Sequence, residues 1–238
     1  MTKGNNMRLN PTNVISELKS YDDTVVVVDA GLIAFVTVSP DVCTENPCDW
    51  DGTGKIYSFS RRHNNYLRDF DFPASKIECR EAIAKKYGGD VVFLGYYAHG
   101  QCQWFVEGCG GPGTDCRWDG VSFAGIWVPD KYLCKEASYR LKLKKGTPAR
   151  DAKMIEWAKQ ACSTYTDWCN GEVYGYSIEV YKARFTDSGD VYNAIEDYRY
   201  DTAIAEESCF GFYGDDIKTG LSDGLEEVTA MLEKGTSC

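Results

Sequence analysis

What this 238-residue chain lacks narrows it first. It has two histidines, His63 and His99, and none of its eleven cysteines forms a Cys-x2-Cys pair. The familiar zinc fingers and ribbons need such pairs, so those frameworks are excluded. No P-loop, Rossmann glycine fingerprint, HExxH, GxSxG or EF-hand pattern occurs, which removes the enzyme and binding classes that those motifs define. No run approaches the roughly 18 apolar residues of a membrane span. There is no internal repeat. No apolar signal stretch precedes the cysteines, since Met1 to Asn13 is polar with Lys3 and Arg8. We therefore expect reduced thiols in a cytoplasm, in keeping with the odd cysteine count.

What is present suits a globular chain. Hydrophobic residues make up 43% and aromatic residues 13%, enough for a real core. The net charge of −10 is unevenly placed. Residues 184–238 carry 13 acidic and four basic side chains, a net of −9, against 23 and 22 in residues 1–183. That field disfavours direct nucleic-acid binding by residues 184–238. It either keeps the protein soluble or favours basic partners.

The chain is organised around residues 147–214. Thr147-Pro148 has the chemistry of a helix start, and Ala152, Ile155, Ala158, Cys162, Tyr165 and Cys169 recur at helical spacing up to the Asn170-Gly171 stop. Tyr174, Tyr176, Ile178 and Val180 then alternate with smaller or polar residues, a strand with one face on that helix. Ser208 to Gly214, with Phe212 and Tyr213, reads as the answering strand. The rings serve a packed hairpin core or, alternatively, an aromatic groove.

Elsewhere, residues 1–13 read as a flexible terminus and Val14 to Ser20 as a short helix. Thr24–Val28 and Leu32–Val38 read as two strands, and Ile56 to Ser60 as a third. A helix is expected over Lys76–Tyr87, and strands over Val91–Tyr97 and Val121–Val128. Lys131–Leu143 should be helical. A final helix should be capped at Asp223-Gly-Leu-Glu226. Arg61, Arg62 and His63 form a locally basic cluster suited to carboxylates or phosphates, or to intramolecular ion pairs. Cys102 to Cys116 reads as a Gly-Pro-rich surface excursion. His99, Cys102, Cys109 and Cys116 are a conceivable zinc set of unfamiliar spacing, and we expect no metal and no cofactor.

Four blocks resemble a family of small, mostly uncharacterised accessory proteins encoded by tailed bacteriophages and mobile elements. They are Asp49 to Gly54 with Arg61-Arg62-His63, Leu94 to Gly100, Cys116 to Asp119 with Gly125 to Val128, and Gly171 to Tyr176 with Ser208 to Gly214. The chain departs from that pattern at Ser60, at Ala98-His99-Gly100, and in a longer link between the last two strands. The resemblance implies a virus-encoded protein working inside an infected bacterium.

The expected fold is α+β: one mixed or mainly antiparallel sheet under about four helices, with a C-terminal helix–hairpin–helix unit. One domain is expected over 14–238, with a subdivision near 144–146 as the alternative. The leading function is a binding protein acting on a host or antiviral-defence component, such as one with a basic nucleic-acid groove. Its contacts would come from Arg61, Arg62, His63, Trp118, Asp119, Tyr174, Tyr176, Phe212 and Tyr213. A second reading is a small hydrolase or nucleotide-processing enzyme, with His99 as acid or base, Cys116 as nucleophile and Asp119 as orienter. A third is a minor virion protein.

Overall fold

Asp29-Ala30-Gly31-Leu32 turns the first hairpin in two residues. Ala30 and Gly31 both take left-handed backbone, with φ of 54° and 79°, as a two-residue turn between twisted strands requires. On either side pair β1 (Asp23–Asp29) and β2 (Leu32–Pro40), the strands that the β-branched runs predict. The structure is a computed structural model that describes residues 7–110 and 120–235. The chain forms two compact units: unit 1 from Met1–Thr44 and Gly171–Cys238, unit 2 from Glu45–Asn170. Lys144 to Gly146 lie inside unit 2. The class is α+β, but with two antiparallel four-stranded sheets where one sheet was expected, and with five α-helices among the described residues.

Unit 1 orders its sheet β1-β2-β7-β8, with β7 at Val173–Lys182 and β8 at Ala205–Tyr213. One face, with Val36, Val38, Ile178 and Val180, is covered by α1 (Pro11–Glu17) and α5 (Asp216–Gly235). From α5 come Ile217, Leu221, Leu225 and Val228. The other face, with Ile33, Phe35 and Tyr181, lies under Tyr198. The Tyr198 hydroxyl accepts from Arg184 N and donates to Tyr192 O, which pins the 184–198 excursion.

Three expectations are corrected here. The terminus is docked from Met7 onward, because Met7 and Leu9 are buried in the α5 core. α5 begins at Asp216, so Asp223 to Glu226 lie within the helix and cap nothing. Tyr174 and Phe212 do pair across β7 and β8, but the helix over that hairpin is α5, not the one preceding Gly171. The choice follows from shape. Gly220 and Gly224, one turn apart on α5, leave the space occupied by the Phe212 and Tyr176 rings, which stack with centroids 5.8 Å apart.

Unit 2 orders its sheet β3-β6-β4-β5: β3 is Lys55–Ser58, β4 Val92–His99, β5 Gln101–Val106 and β6 Gly120–Val128. α2 (Lys76–Tyr87) packs on one face through Cys79 and Ile83. α4 (Pro148–Asn170) packs on the other through Met154, Ala158, Cys162 and Tyr165. α3 (Lys131–Lys135) continues into a wider π-type turn, Glu136–Arg140. α4 starts at Pro148 as expected, with Thr147 O accepting from Asp151 N at 3.1 Å, while the Thr147 hydroxyl donates back to Lys144 O. The first turn of α4 is anchored by Arg150, whose wholly buried guanidinium binds Asp90 through two 2.7 Å bonds and also donates to Ser138 and Leu143 O. A buried cation so fully satisfied fixes geometry, and its isolated partner would be strongly destabilising.

Candidate functional site

β5 was expected to be loop, yet Cys102, Trp104 and Val106 alternate inward along it as on any strand. Its outer edge is closed by α4. Asn170 accepts from Cys102 N and donates to Cys102 O, both at 2.9 Å, and Thr166 Oγ1 accepts from Trp104 N at 3.0 Å. Side chains four apart on a helix thus supply the partners that a neighbouring strand would.

Beside this edge lies a groove of about 580 Å³, lined by the 62–65 loop, Tyr96, Trp104 and the last turns of α4. Tyr96 and Trp104 are cross-strand partners with ring centroids 4.8 Å apart. His63 lies 4.7 Å from Tyr96 and 5.7 Å from Trp104. Tyr165 stacks on Trp168 at 5.6 Å. Gly125 leaves room for the edge of Trp104 against β3.

The loop bearing His63 is held by buried Ser58. Ser58 N donates to Asn65 O, Ser58 O accepts from Leu67 N, and Asn65 Nδ2 donates to Ile56 O. The Ser58 hydroxyl accepts from Ser60 N at 3.0 Å and meets His63 Nδ1 at 2.7 Å. Where the hydroxyl donates to Nδ1, Nε2 is the ring's donor; where Nδ1 donates, Nε2 is the acceptor. Burial holds the imidazole below its ordinary range, so the ring is neutral near pH 7. The Cys102 and Cys169 thiols hydrogen-bond, and that contact pushes the Cys169 thiol well above its ordinary range. Burial likewise raises the Tyr96 and Tyr165 hydroxyls. Such thiols are poor nucleophiles at neutral pH. The groove offers rings, amides and hydroxyls, with Arg62 as the charged lining residue.

The predicted site residues fall in different places. Arg61 is exposed and bonds Tyr66, which raises its pKa. Arg62 and His63 line the groove. Tyr176 is buried core in unit 1, where Phe212 packs partly buried and Tyr174 packs at a tilt against Tyr21, ring centroids 4.5 Å apart. Tyr213 ends β8, half-buried and paired with Val173. His99 is exposed at the β4–β5 turn. Cys116, Trp118 and Asp119 lie outside the described residues. Among the described residues no group of three or more His, Cys, Asp or Glu is placed to hold a metal ion, so His99, Cys102 and Cys109 form no such group. The nine described cysteines are free thiols.

No family model, curated protein or solved structure matches this chain.

Sequence reasoning missed Tyr96, Trp104 and Trp168 as site residues. The signal was present for two of them: Cys102, Trp104 and Val106 fall at every second position, and Tyr165, Trp168 and Cys169 share one helix face. A second surface belongs to unit 1. Its 20 acidic and eight basic side chains give a net of −12, against 16 and 18, a net of +2, in unit 2. Among the described residues no strand pairs with the outer side of β8; on that strand Glu206 is exposed, and Phe210, 55% exposed, lays its ring over Gly175 of β7. Phe185 and Tyr200, 57% and 84% exposed, carry the same acidic segment's rings to solvent. Among the described residues no helix is long and apolar enough to cross a membrane.

Proposed function

We propose that this chain is a virus-encoded accessory protein of the infected-cell cytoplasm that binds and modulates a basic host or antiviral-defence protein, without chemistry of its own. The observation that carries this reading is the net charge of −12 gathered in unit 1 together with exposed rings. An acidic face bearing aromatics complements a basic nucleic-acid groove, steering encounter by charge and gaining affinity from ring burial. The docking elements are β8 with Phe210, Glu206 and Glu207, together with the exposed rings of Phe185 and Tyr200. The hairpin rings Tyr174, Tyr176 and Phe212 support that face from inside.

The test is affinity capture from infected and uninfected host lysates with the parent chain and with a Glu206→Lys, Glu207→Lys, Phe210→Ala variant. A protein of basic surface should be retained by the parent at low salt, released as salt rises, and lost by the variant. Capture indifferent to both salt and variant, or no capture at low salt, rejects the reading.

A further inference from the structure

We infer that the groove of unit 2 binds a nucleoside phosphate, with the base against the rings of His63, Tyr96 and Trp168 and the phosphate on Arg62. The inference stands apart from the acidic face, because it uses only residues of the other unit. Charge selects the ligand's sign. No Asp or Glu lines the groove, although the chain carries 36 of them, and Arg62 forms no ion pair among the described residues. A free guanidinium beside uncharged walls attracts a phosphate and repels a cationic ligand that the rings alone would welcome.

The rings select the ligand's shape. Five aromatic side chains pack face or edge together around the groove, with centroid separations of 4.7 to 6.2 Å. Trp104 and Tyr165 are buried and form the base of the set, while His63, Tyr96 and Trp168 are partly exposed above them. A flat heterocycle gains most from such a platform, and stacking tolerates any base. The Asn64 amide, unengaged among the described residues, and His63 Nε2 offer both donor and acceptor to a base edge. The platform is preorganised: Ser58 fixes His63, and Asn170 fixes β5 below Trp104. A volume of about 580 Å³ suits a small-molecule site.

A free nucleotide and the phosphorylated end of a single strand share this chemistry. Calorimetric titration of the full chain with AMP, GMP, CMP and UMP tests the site. Adenosine and inorganic phosphate serve as the two halves of the ligand, and a 5′-phosphorylated trinucleotide as the strand end. We expect one-to-one binding of at least one nucleotide, with each half binding roughly tenfold or more weakly. Arg62→Ala should weaken the nucleotide about tenfold and leave adenosine unchanged, whereas Trp168→Ala should weaken both about tenfold. Arg62 is exposed, so its replacement leaves folding intact, which far-UV circular dichroism verifies. No saturable binding of any nucleotide by about 1 mM overturns the inference. So does phosphate binding as tightly as nucleotide, or an Arg62→Ala variant that binds like the parent. Tighter binding of the trinucleotide than of AMP assigns a strand end, and the reverse assigns a free nucleotide; either supports the site.

Discussion

In unit 1 a 20-residue helix, α5, covers a four-stranded antiparallel sheet mainly with aliphatic side chains. In unit 2 a 23-residue helix, α4, covers a sheet of the same size with tryptophan and tyrosine at the interface. All six tryptophans and both histidines belong to unit 2, while the acidic excess belongs to unit 1. The sheet edges differ as well. α4 ends in Thr166 and Asn170, which satisfy the backbone of β5 at Cys102 and Trp104, whereas among the described residues no strand pairs with the outer side of β8, where Glu206 is exposed. A sealed edge gives a fixed wall for a small ligand, and an open charged edge resists self-pairing yet stays available to a complementary partner. One architectural plan thus carries two different edges and two different surface chemistries.

The contrast can be broken one unit at a time, because tryptophan fluorescence reports on unit 2 while circular dichroism reports on both. Asp90→Ala leaves the wholly buried Arg150 without its carboxylate. Urea unfolding followed by tryptophan fluorescence should show a loss of about 3–5 kcal/mol. Gly220→Ala drives a methyl into the Phe212 ring. A loss of about 1–3 kcal/mol should appear by circular dichroism with the tryptophan signal unmoved, offset in part by alanine's better helix propensity.

Acid should separate the units again. The His63 imidazole is held below its ordinary value of 6.5, so below that pH the unfolded chain takes a proton that the folded ring resists. Its contribution is full above pH 6.5 and lost as pH falls through the folded value. Asp90, held below 3.8 chiefly by its hydrogen bonds to Arg150, repeats the pattern at lower pH. The unfolding midpoint by tryptophan fluorescence should therefore fall in two stages, and His63→Gln should abolish the first alone. The smallest effect is at Ala30, an L-residue held at φ 54° in the first hairpin. Ala30→Asn should stabilise unit 1 by under about 1 kcal/mol, seen as a small rise in its thermal midpoint.

Much of the secondary structure was legible because it is local. α2 and α4 lie where periodicity and Gly or Asn stops placed them, and β1, β2, β4, β6 and β7 follow from alternation and β-branching. β5 was hidden by the glycine and histidine of its own turn, and the start of α5 by the Asp223…Glu226 spacing that imitates a capping box. The candidate groove was barely legible. His63, Tyr96, Trp104 and Trp168 are separated by up to about a hundred residues, and only strand pairing and the docking of α4 bring them together.

By itself the sequence determined most of the helices and strands, and where charge runs along the chain, since neighbours within a turn or a pleat decide these. Tertiary packing decided the rest: that α5 and not α4 closes on the β7–β8 hairpin, because Gly220 and Gly224 leave room for its rings. It also decided that the acidic tail joins the first 44 residues in one unit, and that Arg62 stands beside an aromatic wall. Those outcomes depend on shape complementarity between distant surfaces, which no local pattern encodes.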